Sequence, residues 1–282
     1  MIRTVLVVAA TVATTFAATL GKSQGEPEQD SLLVDDIVEA MSIDTASASK
    51  VAASEVGAQH LTIPFKVGER ADYDVKFGAL KVGSAYMHVV GIDTIRNRPA
   101  YHTMFRLQGG TLFFKVDDIL ESWIDKETFS SLRFHSELDE GPNERSKRYE
   151  IYPDRGVYVE TTKKGTVEKK TVKDPLDDGS FLFFIRSVPL EVGKTYEFNR
   201  YFRPDRNPVK IKVLRKETIQ VPAGKFQCIV VQPIIKTSGI FSEDGKAEVW
   251  LSDDHRRIVV QLKSKLSFGS INLFLKKYQE GA

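Results

Sequence analysis

The sequence predicts an all-β protein for most of its length: an antiparallel curved sheet or barrel built from two similar halves, with one short helix in the connector. Three observations lead there. From Phe65 onward apolar residues recur with period two, as in "ADYDVKF", where Tyr73, Val75 and Phe77 share one face. Turns rich in Gly, Pro, Asn and Asp cut this alternation into roughly fourteen strand-sized pieces. Patterns of the first half return in order in the second, at offsets of 123–127 residues.

The chain begins differently. Arg3, an Ala/Thr-rich apolar run from Val5 to Leu20 and the small residues before Gly21-Lys22 make residues 1–20 a signal peptide. The run is short and threonine-rich for a membrane span, so the protein is not expected to cross the membrane once the signal is removed. A single-pass anchor is the alternative. Residues 21–60 are a flexible acidic Ser/Ala-rich linker: they hold no aromatic residue and carry a net charge of −6. Within them "SLLVDDIVEAM" has the spacing of a short helix.

Residues 61–282 form the β domain. After "ADYDVKF" come "AYMHVVGI", "YHTMFRL", "ESWI" and "SSLRFHSEL" as strands. Residues 148–172 read as three short strands, with turns at Pro153-Asp154-Arg155-Gly156 and Lys163-Lys164-Gly165. The segment "DPLDDGSFLFFIRSVPL" breaks the alternation. Asp178 or Ser180 as N-cap, an aromatic run and Pro189 as a stop predict the single helix.

The repeat halves are about 64–139 and 190–268. Val67-Gly68 matches Val192-Gly193, and "DTIRNRPAY" matches "ETIQVPAGKF", with Thr94 on Thr218, Pro99 on Pro222 and Tyr101 on Phe226. "ESWIDKET" matches "EVWLSDDH", so Trp123 and Trp250, the two tryptophans of the chain, occupy equivalent places.

Composition excludes more than it selects. With 282 residues, 41% hydrophobic and 28% charged, the chain can build a sizeable core. A net charge of +2 gives no electrostatic ground for nucleic acid, and no partner of that kind is expected. Residues 61–282 carry +7, a mild basic excess compatible with an anionic envelope surface. None of the five histidines has metal-ligand spacing, so no metal site is expected. There is no G-x-S-x-G elbow and no phosphate-binding glycine loop before a helix, so no catalytic residue and no cofactor are assigned. Cys228, the only cysteine, sits in the apolar strand "KFQCIVV" as a small buried hydrophobe.

Asp253-Asp254-His255 looks like an acid/base or metal cluster. In its counterpart in the first half, "WIDKET" (Trp123 to Thr128), Lys126 and Glu127 replace the two aspartates and Thr128 the histidine, so the cluster reads as a hairpin turn. The lysine-rich "KKGTVEKKTVK" reads as a solvated edge hairpin. Phe113, Phe114, Phe181, Phe183, Phe184 and Phe198 are the candidates to line an apolar ligand pocket; the same residues would equally make a filled core.

Four stretches carry a family resemblance: "PFKVGERADYDVKFGALKVGSAYMHV" (64–89), "DPLDDGSFLFFIRSVPLEVGKTYEF" (174–198), "VPAGKFQCIVVQP" (221–233) and "EVWLSDDHRRIVVQLKSKLSFGSINLFL" (248–275). They resemble the exported bacterial family catalogued as domain of unknown function 3108. The resemblance implies a periplasmic or envelope-associated β protein and carries over no catalytic residue. Where that family often follows a helix serine with small residues and a tyrosine, Ser180 is followed by phenylalanines. By analogy with envelope carriers of acyl chains, the leading expectation is non-catalytic binding or carriage of an apolar or lipid-like envelope ligand. The alternative is a structural module that docks an envelope protein partner; a hydrolase is the third reading.

Overall fold

A computed structural model of the protein describes residues 62–111, 114–140, 143–236, 247–266 and 269–282. The expected signal peptide and acidic linker lie outside the described residues, as does Phe113. The first run of strands is β1 (Arg70–Phe77), β2 (Leu80–Ile95), β3 (Arg98–Thr111), β4 (Phe114–Asp125), β5 (Ser131–Glu140), β6 (Asn143–Tyr152), β7 (Val157–Thr162) and β8 (Gly165–Lys170). After helix α1 (Asp178–Phe184) come β9 (Thr195–Phe198), β10 (Val209–Val221), β11 (Gly224–Ile234), β12 (Glu248–Ser252), β13 (Val259–Leu266) and β14 (Gly269–Gln279).

All fourteen belong to one antiparallel sheet, ordered β8-β7-β6-β5-β4-β3-β2-β1-β14-β13-β12-β11-β10-β9. The last strand pairs with the first, Tyr73 opposite Leu275, so the two runs meet at the centre and the edges are β8 and β9. The sheet curls over one apolar face but is not closed by strand pairing. The gap between its edges is bridged by side chains that follow β9. The Phe202 ring sits 5.2 Å from that of Tyr149 on β6 and 5.1 Å from that of Tyr158 on β7, and Thr171 Oγ1 donates to Phe202 O (2.6 Å). Of the two expected forms, the curled sheet is therefore the one observed.

The alternation read from the sequence sets the inner face. Ala71, Tyr73 and Val75 of β1 and Val209, Ile211 and Val213 of β10 are all buried. Each run opens with the same turn. Gly68 N donates to Val89 O and Gly193 N to Val213 O, both at 2.8 Å. The φ angles of the two glycines, +85° and +86°, lie where a side chain would be strained. A bulge then shifts the register between Val89 and Gly91 in β2 and between Val213 and Arg215 in β10. Beyond the bulge β2–β3 has five paired rungs and β10–β11 has seven. This difference corrects one expected match: Pro99 lies inside β3, whereas Pro222 lies in the turn between β10 and β11.

At seven residues, α1 is too short to be stable alone. Its N-cap is Asp177, not Asp178 or Ser180. Asp177 Oδ1 accepts from Gly179 N and Ser180 N (both 2.8 Å), and Ser180 Oγ accepts from Asp177 N (2.8 Å), which closes a capping box. Adjacent aspartates look alike in a sequence; extended backbone at Asp177 (φ −104°, ψ −179°) decides between them.

Candidate functional site

The curled sheet has two unlike ends. One is plugged by α1, whose Phe181, Phe183 and Phe184 are at most 2% exposed. Phe183 packs edge-on against Phe65 (5.2 Å), and Phe184 against the partly buried Phe198 (5.0 Å). Of the candidate pocket phenylalanines, Phe183, Phe184 and Phe198 thus join one aromatic group around the helix through Phe65 and Phe129, and Phe181 is buried in the same apolar core. Phe114 starts β4, in another part of the fold, and Phe113 lies outside the described residues.

Polar contacts pin the plug. Ser122 Oγ of β4 donates to Asp177 Oδ1 (2.6 Å), and the hydroxyls of Ser131 and Ser180 are 2.8 Å apart. Burial of the Asp177 carboxyl pushes its pKa up to about 6. Past the helix, Arg186 forms a buried pair with Glu69 (2.6 and 3.1 Å) and donates to Arg256 O and Arg257 O. Arg200 reaches the opposite hairpin, donating to Asp174 O, Thr128 O and Phe129 O.

The other end stays open on its inner face. Here Val75, Val82, Leu107, Val116 and Ile271, with Gly83, Gln108, Gly109 and Gly110, line a shallow cleft with about 20 Å³ of free space, room for roughly one water, that is continuous with solvent. Gly83 faces Gly109 across β2–β3. A Cβ on Gly83 would fall 2.2 Å from Gln108 O, and one on Gly109 would fall 2.6 Å from Val82 O. Glycine at both positions allows the two backbones to approach this closely at the mouth. Among the described residues, Phe181, Phe183, Phe184 and Phe198 do not line this cleft. The sequence reading missed it; the signal available was the glycine at the end of "GALKVG" together with the "QGGT" pair, each in an otherwise apolar strand.

A wider polar hollow of about 390 Å³, lined by residues that include Asp117, Glu137, Asp139, Glu144 and Arg145, lies nearby across β4–β6. On the outer face, His102 stacks on Trp123 (4.5 Å) and His102 Nε2 is 3.0 Å from Glu121 Oε1, a contact that holds the Glu121 carboxyl below its usual range. His135 meets the other side of Trp123 edge-on (4.9 Å), and burial lowers its pKa. Among the described residues no His, Cys, Asp and Glu side chains converge to hold a metal ion.

Asp253-Asp254-His255 forms the turn between β12 and β13. Asp254 Oδ1 accepts from Arg256 N (3.0 Å) and Ser252 Oγ (2.8 Å), Asp253 pairs with Lys216 (2.8 Å), and His255 is exposed. The three thus do separate work: Asp254 holds the turn, Asp253 ties it to β10 and His255 faces solvent. Cys228 is buried, and burial pushes its thiol up to about 12, far from a reactive thiolate.

The pairing of β1 with β14, the two glycine turns and the capped phenylalanine helix fall within or beside one matched region. The family described as protein of unknown function (DUF3108) matches residues 72–276. The chain belongs to the DUF3108 family. No curated protein matches it significantly. The DUF3108 chain is similar in fold to a β-barrel-like protein of domain of unknown function DUF1849 from Brucella abortus. That match has a TM-score of 0.51 at 12% identity and covers 77% of this chain and 98% of that one. Weaker likenesses, both at 12% identity, reach a protein from Parabacteroides distasonis provisionally described as a lipoprotein and one from Bacteroides fragilis provisionally described as exported, with a YmcC-like fold. The first has a TM-score of 0.36 and covers 78% of this chain and 100% of that one; the second has 0.29 and covers 78% and 99%. At these identities the likeness concerns fold alone. No helix of the described residues is long and apolar enough to cross a membrane.

Proposed function

We propose that this DUF3108 protein is an exported, envelope-associated protein that binds the end of an apolar or lipid-like chain at its open mouth and performs no chemistry on it. One observation carries the reading: among the described residues, the cleft between β1, β2, β3, β4 and β14 is lined by apolar side chains and glycine, with Gln108 the only polar residue. Such a lining offers an alkyl chain burial worth about 0.8 kcal/mol per methylene and offers little to a polar ligand. With about 20 Å³ free, the mouth has to widen before it admits a chain end. The filled, hydrogen-bonded plug at the other end supports a static container rather than a through channel. Export is supported by the signal-like residues 1–20.

The test is a titration of the protein with a long-chain polyene fatty acid whose fluorescence rises in apolar surroundings. Saturable binding, competed by an unlabelled fatty acid of similar length, is expected. A signal that never saturates, or that the competitor leaves unchanged, would sink the reading.

A further inference from the structure

The β1–β2 hairpin borders the mouth and carries an exposed apolar tip. Gly78 and Ala79 form its turn, and Leu80 beside them is 60% exposed, the most exposed large apolar side chain among the described residues. The tip is anchored: Gly78 N donates to Ser270 O (3.2 Å), tying it to β14. On the next rung Lys76 stands directly opposite Lys81. Two like charges facing each other across a hairpin are unfavourable unless something anionic lies near both. Asp74 takes Lys81 (2.7 Å), while Lys76 lies over the Phe274 ring at 5.1 Å. The next residues inward, Val75 and Val82, line the mouth.

An apolar tip, a basic collar one rung behind it and an apolar mouth one rung further match the layers of a membrane interface. Leu80 suits the depth just below the headgroups, and the lysines suit the phosphate level. We propose that the β1–β2 hairpin docks the protein reversibly on an anionic lipid bilayer and sets the mouth against it. Lys115, exposed at the start of β4, adds to the basic side. The acidic Asp139 and Glu144 on β5–β6 confine the contact to β1–β2 and its neighbours. This surface goes beyond the proposed chain binding and does not depend on it.

The test is co-sedimentation of the full chain with vesicles containing phosphatidylglycerol and with pure phosphatidylcholine vesicles. Binding to the anionic vesicles alone, weakened by added salt, is expected. Leu80→Ser should lower the partition coefficient roughly tenfold, and Lys76→Glu with Lys81→Glu by about tenfold or more. Circular dichroism checks that the variants stay folded. Leu107→Trp, which fills the mouth, should bind vesicles like the unaltered protein, so loss of chain binding and loss of docking are read separately. No sedimentation with anionic vesicles, equal sedimentation with both kinds, or binding that survives the Leu80 and lysine changes would overturn the proposal.

Discussion

Arg186 and Arg200 clasp the two tryptophan hairpins to the same helix, yet in different electrical surroundings. Arg186 donates to the carbonyls of Arg256 and Arg257; Arg200 donates to those of Thr128 and Phe129. Arg186 also has the buried Glu69 carboxylate, which in turn accepts from Tyr278 Oη (2.9 Å). Arg200 donates to carbonyl oxygens and covers the face of Phe184; the Asp174 carboxylate acts on it only through its charge, without an ion pair, and burial pushes its pKa down to about 10. One half therefore holds its hairpin with an ion pair and the other with carbonyl dipoles. The geometry is shared while the electrostatics are not, so equal substitutions in the two halves should have unequal costs.

The largest effect is expected at Arg186. Arg186→Met leaves Glu69 buried without its cation and should destabilise the fold by about 3–5 kcal/mol in chemical denaturation. Removing Glu69 as well, by Glu69→Gln, should restore part of that loss. Next comes the plug. The folded-state pKa of Asp177 is raised to about 6, above its ordinary 3.8, so its contribution is fully present below pH 3.8 and is lost as pH rises through about 6. Relative to Asp177→Asn, the unaltered protein should therefore lose about 2–3 kcal/mol between pH 4 and pH 7. A constant difference across that range would contradict the buried cap. Arg200→Met removes hydrogen bonds to carbonyls but strands no carboxylate, and about 1–2 kcal/mol is expected. A loss larger than that of Arg186→Met would break the comparison between the halves. The smallest effect belongs to the turn: Asp253→Asn with His255→Gln should change stability by less than about 1 kcal/mol and leave metal content unchanged.

The sequence made the fold legible where local patterning dictates it. Alternation in "ADYDVKF" and its successors marks the strands because each must bury one face. The matched glycines at 68 and 193 mark turns that only a left-handed backbone can make. The helix is legible because Pro189 and the phenylalanine run end the alternation. Which aspartate caps it is not legible, since the two neighbours differ only in backbone angle. The mouth is least legible. Val75 and Ile271 are buried and Leu107 is half-buried, so they alternate just as core residues do, and whether free space remains beside them depends on where α1 enters a sheet built from residues far away in sequence. The aromatic run at Phe181–Phe184 draws attention to a pocket there, yet the capping box and the two arginines drive those rings into the interior.

The central claim is that the mouth holds an apolar chain. Native mass spectrometry of protein gently extracted from the cells that produce it, beside the Leu107→Trp variant, tests it most directly. The account predicts a lipid-mass adduct on the unaltered protein that disappears in the folded Leu107→Trp variant. An unaltered protein with no adduct, or an adduct equally abundant in both, would contradict it.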